Sequence, residues 1–391
     1  MLWFSANMRE LFGIGVIAFC LLAASRGAMT SSSSSSTTRQ PSEKQIDAVF
    51  SGVTQLGAPG LAVLARRDGR TVFERGYGIR DLRTHAKIDA ATNFRLASCT
   101  KQFTAMAIML LVHDHKLTYD TRISDVFPEF PAYGQSITIR NLLNHTSGLL
   151  DYEDLMTQPA PNTPPEQQTQ ITDADVLALL EKQTTTKFPP GTRWQYSNSG
   201  YVLLGEIVAK ISGETFPQFL HDRIFAPLGM KNTVAYVKGS NDVPNRAFGY
   251  SKTAAGWEET DQDATSATLG DGGVYSSLDD LAKWDRALAH HALLSAKEMQ
   301  PALTPVVVPN GGPVGPDNEP AAYGFGWFLN PYNGHPRMWH YGETIGFRSS
   351  IQRFTDGGLT IIVLCNRSDL NPGHLAERVA DLFFSNGTQA Q

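Results

Sequence analysis

A helix without a polar face is the feature that most constrains how this chain can fold. The sequence predicts a helix at 98–112, and its run FTAMAIMLLV is apolar nearly all round. A helix that is hydrophobic on every side must be surrounded by other elements, so this one belongs inside a sizeable core. A chain of 391 residues is long enough to bury such a core in one large domain or in two lobes.

Strand patterns lie at both ends of the chain, and helical patterns lie between them. The stretch GLAVLARRDGRTVFERGYG predicts a hairpin that turns at Asp68-Gly69. Three more strands are predicted at 337–345, 347–355 and 359–368, before a closing helix at 374–384. Helices are predicted at 43–56, 98–112, 139–144, 172–183, 200–212, 215–225 and 277–289, with Thr172 and Ser277 as caps because each has Asp three residues on. This order indicates an α+β fold: an antiparallel sheet from both termini, flanked by helices, with an inserted, mainly helical lobe.

The N-terminus does not belong to the predicted fold. Residues 11–24 are uncharged and apolar but shorter than the roughly 20 residues that span a membrane. We therefore interpret residues 1–28 as a signal peptide, with an uncleaved N-terminal anchor as the alternative, and residues 29–41 as a Ser-rich linker. The folded domain is expected at 42–388, with an α/β part at about 42–95 and 320–388 and the helical lobe at about 98–300. This predicts a periplasmic or secreted protein that associates with a membrane only through its N-terminal segment.

Composition excludes some functions. The net charge of -5 and the lack of a basic cluster argue against a nucleic-acid partner. Without the signal peptide two cysteines remain, Cys99 and Cys365, which we expect to be buried free thiols. Two cysteines give no metal-ligand spacing, so they predict no metal site.

Ser98 and Lys101 form an S-x-x-K pair at the start of the apolar helix. Residues three apart share a helix face, and the positive end of the helix dipole favours negative charge developing on Ser98. A lysine with a lowered pKa could then deprotonate the serine hydroxyl. The alternative is that both residues simply begin a helix, because this spacing also occurs by accident.

Two further motifs could complete a site. In WQYSNSGY, Tyr196 and Asn198 lie two apart, where a tyrosine can shuttle a proton and an asparagine can bond both a lysine and a substrate amide. The alternative there is a helix N-cap beside a packing tyrosine. In HYGETIGF, Gly342 would let a substrate lie against a strand, and the alternative is a bulge with His340 on the surface.

The order of the three motifs resembles the penicillin-recognising serine hydrolases, and within them the class C β-lactamase branch with its D-alanyl-D-alanine carboxypeptidases, D-aminopeptidases and esterases. The resemblance covers about residues 43–385. It is supported by the stretches NLLNHTSGLLDY, FPPGTRWQYSNSGYVLLGEIVAKISG, GDGGVYSSLDDLAKW and YGFGW. The chain has no G-x-S-x-G, the nucleophile elbow of the α/β-hydrolases.

The resemblance implies roles for the motif residues. Ser98 would be the acylated nucleophile beside Lys101, and Tyr196 the proton shuttle, with the main base left open between Lys101 and Tyr196. Asn198, His340 and Gly342 would bind or orient the substrate. The backbone N–H groups of Ser98 and Glu343 would form the oxyanion hole. Water would then hydrolyse the acyl-enzyme, and no cofactor is implied.

One departure from the family bears on the substrate. Many β-lactamases of the family carry Lys-Thr-Gly where this chain has His340-Tyr341-Gly342, and histidine is mostly neutral near pH 7. We therefore expect a serine hydrolase of esters or D-amino-acid amides and peptides, acting on a small-molecule or peptidoglycan-derived substrate. His340 is expected to anchor a carboxylate only when protonated, near pH 6. The alternatives are a class C-like β-lactamase and a catalytically silent relative that binds peptidoglycan or a partner.

Several other features are interpreted as structural. His113-Asp114-His115 is not expected to hold a metal, since residues two apart on a helix point in different directions. His145, Ser147, Gly272 and Gly273 lie in stretches shared with the family core. The Pro/Gly-rich segments at 159–165 and 305–320 are predicted as long loops, either binding rims or disordered.

Overall fold

The computed structural model describes residues 40–385. The predicted signal peptide and all but the last two residues of the predicted linker lie outside the described residues, as do residues 386–388. The strands of the described part are β1 (Leu61–Arg67), β2 (Arg70–Tyr77), β3 (Ile79–Asp81), β4 (Ala86–Lys87), β5 (Phe94–Arg95), β6 (Val234–Ala235), β7 (Tyr250–Thr253), β8 (Gly256–Glu259), β9 (Val274–Ser276), β10 (Arg337–Thr344), β11 (Phe347–Phe354) and β12 (Leu359–Cys365).

The main sheet is built from both ends of the chain. Its order is β10-β11-β12-β1-β2, and every neighbouring pair is antiparallel. Strands β1 and β2 turn at Asp68 and Gly69, whose φ angles of 50° and 75° are both positive, as a two-residue hairpin turn requires. The predicted α+β architecture is confirmed, and β10 is an edge strand of this sheet.

Helices cover both faces of the sheet. They are α1 (Glu43–Phe50), α2 (Lys101–His113), α3 (Ile123–Val126), α4 (Ile139–Leu143), α5 (Tyr152–Leu155), α6 (Asp173–Glu181), α7 (Asn198–Ser212), α8 (Phe216–Leu220), α9 (Ala226–Leu228), α10 (Leu278–Ala289), α11 (Ala296–Met299) and α12 (Pro372–Ser385). Helices α1 and α12 pack on the outer face, against Val63, Ile361 and Val363. The other face, with Ala62, Leu64 and Ile362, packs on the lobe that contains α2. None of the helices within residues 40–385 has the length and apolarity to cross a membrane.

Helix α2 is buried along its length, as its composition predicts. Phe103 on this helix contacts Trp284 and Phe225, with ring centroids 4.7 and 5.5 Å apart. Its last residue, His113, pairs with Glu298, while Asp114 pairs with Arg223. Among the described residues no group of three or more His, Cys, Asp or Glu side chains is arranged to hold a metal ion.

The helix boundaries differ in places from the prediction. Helix α1 ends at Phe50, and the 3-10 helix Ala97–Thr100, here named the Ser98 turn, precedes α2. Thr172 forms a reciprocal capping box with Asp175. Ser277 accepts from the backbone N–H of Asp280, but the Asp280 carboxylate bonds Asn232, Thr233 and Lys283 instead of the backbone N–H of Ser277, so the capping box is not reciprocal.

Candidate active site

Ser98 reaches the surface from an otherwise buried segment. Within the run 92–111 it is the one residue whose side chain is partly exposed. The preceding residue, Ala97, has a φ of 48°, in the left-handed region that L-residues avoid. Such a conformation costs on the order of 1–3 kcal/mol and persists only where the surrounding structure enforces it. The Ser98 turn therefore holds the serine in a fixed position between the sheet and α2.

Lys101 is fully buried below this serine and is held by three oxygens. Its Nζ donates to Ser98 Oγ at 3.0 Å, to Asn198 Oδ1 at 2.9 Å and to the Asp271 carbonyl at 3.0 Å. Since an ammonium has three N–H donors, each has a partner in this arrangement. The predicted Ser98–Lys101 pair is thus in direct contact, and the two residues do not merely begin a helix.

Burial changes the protonation of Lys101. It lowers the pKa of Lys101 to about 8, because a low-dielectric surrounding disfavours the charged form. The carboxylates of Asp271, Asp151 and Glu153 oppose this shift, in that order. A lysine with a pKa of about 8 is partly free base near neutral pH, where an ordinary lysine is almost all ammonium.

Tyr196 lies next to the pair but is held in the neutral form. Its ring faces the Lys101 ammonium at 4.9 Å and contacts the His145 ring at 4.4 Å between centroids. The Tyr196 hydroxyl is buried and has no partner of standard hydrogen-bond geometry among the described residues. Burial, followed by the neighbouring Tyr341, raises its pKa well above the ordinary value, although the nearby Ser98 hydroxyl opposes the shift. Tyr196 is therefore a neutral phenol beside Lys101, because burial disfavours its anion.

Asn198 is the first residue of α7, and its amide is fixed at both ends. Oδ1 accepts from Lys101, while Nδ2 donates to Glu153 Oε1 at 3.1 Å. Ser197 is the N-cap of this helix and accepts from the N–H of Gly200. The predicted N-cap and the predicted bond between Asn198 and the lysine are therefore both present, because the capped helix start places Tyr196 and Asn198 on either side of Ser197.

His340 is not at the surface, and the expected carboxylate anchor is absent from this geometry. The ring is fully buried, its Nε2 lies 3.2 Å from the Tyr323 hydroxyl, and its Nδ1 lies 2.6 Å from the Tyr341 carbonyl. Burial and the charge of Lys101 lower the pKa of His340 to about 3. It is therefore neutral at pH 6, and both ring nitrogens already have protein partners.

Gly342 explains how closely β10 approaches the Ser98 turn. A Cβ at this position would overlap the Leu96 carbonyl oxygen and Ser349 Oγ. The Sγ of Cys99 also lies 3.4 Å from the His340 carbonyl, so the Ser98 turn is packed directly on the strand. Glu343 follows Gly342 on this strand, and its side chain pairs with Arg348 at 2.8 Å.

The segment 305–320 lies beside the Tyr196 motif, because Asn310 donates its backbone N–H to Thr192 and Gly311 accepts from Trp194. A separate cavity of about 470 Å³ is lined by residues of β10 and of the start of α12. Neither Ser98 nor Lys101 lines this cavity.

The acidic residues around Lys101 are what sequence reasoning missed. Asp151 and Glu153 flank the start of α5, and Asp271 lies in the GDGG stretch. No spacing relates these residues to Lys101, which is 170 positions from Asp271. His145 acts as expected of a structural residue, since its Nδ1 accepts from the N–H of Ser197 at 3.1 Å and so holds the segment that carries Tyr196.

The comparison with known proteins agrees with this geometry. The family model described as Beta-lactamase matches residues 46–384. The chain is 30% identical over 344 residues to Penicillin-binding protein 4* of Bacillus subtilis. This alignment covers 85% of this chain and 73% of that protein. The chain is also 30% identical over 312 residues to a D-aminopeptidase of Cereibacter sphaeroides, covering 79% of this chain and 57% of that protein.

Solved structures of similar proteins share the fold of this chain. The D-amino acid amidase from Ochrobactrum anthropi, crystallised with L-phenylalanine amide, superimposes with a TM-score of 0.72 at 25% identity, covering 88% of this chain and 98% of the amidase. A penicillin binding protein from Bacillus halodurans superimposes with a TM-score of 0.71 at 26% identity, covering 87% of this chain and 98% of that one.

Proposed function

The chain belongs to the β-lactamase family and is a serine hydrolase, and we propose that it acts through an acyl-enzyme on amide or ester bonds of substrates that carry a protonated amine. D-amino-acid amides and short D-amino peptides, including peptidoglycan-derived ones, are the substrates that fit best. The observation that carries the proposal is the contact between Ser98 Oγ and the buried Lys101 Nζ at 3.0 Å.

The proposed first step is acylation. Ser98 Oγ attacks the carbonyl carbon, and its proton passes to the free-base form of Lys101, whose pKa of about 8 suits a base near neutral pH. The oxyanion receives hydrogen bonds from the backbone N–H groups of Ser98 and Glu343. Tyr196, which burial keeps protonated, gives a proton to the leaving amine or alkoxide and recovers one from Lys101.

The second step hydrolyses the acyl-enzyme. Water attacks the ester carbonyl and loses a proton to the same Lys101–Tyr196 pair. The bond between the acyl carbon and Ser98 Oγ then breaks, the pair returns the proton to Oγ, and the acid product leaves. Lys101 is the main base in this scheme, because burial places its pKa near neutrality and moves that of Tyr196 far from it.

The charges at the site support an amine-bearing substrate. The Glu153 carboxylate bonds Asn198, which itself bonds Lys101, and Asp151 lies two residues away. Burial, followed by the charge of Asp151, raises the pKa of Glu153, so a bound ammonium would relieve this repulsion. His340, by contrast, is neutral and buried and offers no charge to a carboxylate such as that of a penicillin. The D-aminopeptidase and D-amino acid amidase among the similar proteins are compatible with this preference.

A substrate panel tests the proposal. We expect kcat/KM for D-phenylalanine amide to exceed that for N-acetyl-D-phenylalanine amide, which lacks the ammonium, and nitrocefin to be a poor substrate. Ser98→Ala should abolish turnover of every substrate. Glu153→Gln should raise KM for the free-amine substrate alone, because Gln still accepts from Asn198 but lacks the charge. The exposed Glu214, converted to Gln, is the matched control.

The outcomes distinguish the proposal from its rivals. Rapid nitrocefin hydrolysis with weak amide turnover would make the chain a β-lactamase and overturn the assigned substrate class. Turnover that survives Ser98→Ala would mean that another group is the nucleophile. Equal effects of Glu153→Gln on the free and the acetylated amide would remove the role given to that carboxylate.

We also propose that the protein works outside the cytoplasm. The support is the apolar stretch at 11–24, followed by small residues and the Ser-rich segment. Expression of the full chain in a bacterial host, followed by fractionation and N-terminal sequencing, tests this. Periplasmic protein that begins between residues 26 and 29 is expected, and full-length protein in the cytoplasmic fraction would contradict it.

A further inference from the structure

The Asp271 side chain is buried beside the reactive groups without a full set of partners. Only 5% of the residue is exposed, and its Oδ1 has no hydrogen-bond partner among the described residues. Its Oδ2 accepts one long hydrogen bond, from the Tyr152 hydroxyl at 3.4 Å. A buried carboxylate with so few partners is costly unless a positive charge compensates for it.

Two buried cations contact this segment of the chain. The Arg95 guanidinium is already bonded to Ser266 and to the Gly272 carbonyl. Lys101 donates to the backbone carbonyl of Asp271 itself at 3.0 Å, although no direct ion pair joins its Nζ to the Asp271 carboxylate. Lys101 is therefore the cation on which the charge of Asp271 acts across space, without a direct contact between the two charged groups.

The segment that carries Asp271 is held in place from both sides. The carbonyl of Gly270 accepts from Thr104 Oγ1 on α2 at 2.6 Å. A Cβ on Gly270 would overlap the Tyr201 carbonyl of α7, so only glycine allows this approach. The distance from Asp271 to Lys101 is thus set by two helices of the core and does not depend on a loose loop.

We infer that the buried Asp271 carboxylate is a positioning residue for catalysis, acting as the counter-charge that keeps the Lys101 ammonium between Ser98 and Asn198. This inference rests on the proposed function, in which Lys101 is the base. Asp271 touches neither substrate nor leaving group in this scheme and acts only through Lys101.

Other titratable groups also face this pair and have to be weighed. Those around Lys101 and Asp271 are Asp151, Glu153, Asp173, Cys99, Tyr152, Tyr196, Tyr201, His145, His340 and Arg95. Of the carboxylates, Asp271 opposes the lowered pKa of Lys101 most strongly. Burial raises the pKa of Asp173 well above its ordinary value, and its carboxyl oxygen accepts from the backbone N–H of Leu269 and not from Lys101, so Asp173 is a suitable control.

The test is the pH dependence of kcat/KM on p-nitrophenyl butyrate, an ester whose charge does not change with pH. Asp271→Asn removes the negative charge at nearly constant volume, so Lys101 should lose its proton more easily. The acidic limb of the profile should move down by about one pH unit, as expected for the loss of one neighbouring opposite charge. Asp173→Asn should leave the midpoint of the acidic limb unchanged. Asp271→Glu keeps the negative charge, so its midpoint should lie close to that of the wild type.

The profile separates this role from a structural one. A lower rate at every pH with an unmoved midpoint would mean that Asp271 only supports the fold, and the inference would be wrong. A wild-type protein that shows no Ser98-dependent turnover would instead refute the proposed function itself. If Asp271→Asn does not fold, the smaller neutral variant Asp271→Ser replaces it, and the same downward shift of the acidic limb is expected. Failure of both variants to fold would show a structural role and overturn the inference.

Discussion

Replacing Gly342 with alanine tests whether the close contact between β10 and the Ser98 turn creates the catalytic geometry. The new Cβ would lie 3.1 Å from the Leu96 carbonyl carbon, and nearer still to the carbonyl oxygen and to Ser349 Oγ. Carbon atoms pack at about 3.5–4.0 Å, so the strand and the turn must separate by about 1 Å. Overpacking of this kind lowers the free energy of unfolding by about 1–3 kcal/mol.

The same displacement should harm catalysis more than stability. It moves the backbone N–H of Glu343 away from that of Ser98, and a misplacement of about 1 Å can reduce a rate about 100-fold. We therefore expect kcat for p-nitrophenyl butyrate to fall about 100-fold, with a smaller change in KM, while urea denaturation shows a folded but weakened protein. Gly52→Ala is the control, because no atom lies within 4 Å of the Cβ it would add. A Gly342→Ala variant with the stability and kcat of the wild type would refute the reasoning, and lost stability with unchanged kcat would refute the oxyanion role alone.

Three further predictions follow from burial and charge. For the wild type, kcat/KM on a neutral ester should rise about tenfold per pH unit below pH 8 and level off above it, because the pKa of Lys101 is about 8 and only the free amine accepts a proton; a flat profile from pH 6 to 9 would argue against Lys101 as the base. The ratio of rates for an anionic and a neutral ester should stay constant from pH 6 to 8, because the pKa of His340 is about 3; a ratio that favours the anionic ester as the pH falls would restore the carboxylate anchor. Phe103→Ala should lower the free energy of unfolding by about 3–5 kcal/mol in urea denaturation, since Phe103 is fully buried against Trp284; a loss below about 1 kcal/mol would mean that the core around α2 closes over the space.

The order of the elements was predictable because it depends on local pattern. The apolar run of α2, the Asp68-Gly69 turn and the alternating strands each determine their own structure, and the chain joins them in one order. The left-handed φ of Ala97 was not predictable, because it results from packing of the Ser98 turn between β10 and α2.

The environment of each site residue was harder to predict than its position. In the strand around His340, residues on both faces are large and buried, so the sequence pattern does not tell which face meets the lobe. The structure places Met338, His340 and Gly342 on the inner face, and that burial makes His340 neutral. Asp271 and Glu153 reach the site by the tertiary fold alone, and no motif containing Ser98 or Lys101 points to them.

Covalent labelling tests the central claim, that Ser98 is the nucleophile activated by Lys101. The folded protein would be treated with a fluorophosphonate at pH 8, and the modified peptide would be identified by mass spectrometry. We expect one label per chain on Ser98, no label in Ser98→Ala, and much slower labelling in Lys101→Met while that variant remains folded. Labelling of a different residue, or labelling of Ser98 at an unchanged rate without Lys101, would contradict the account.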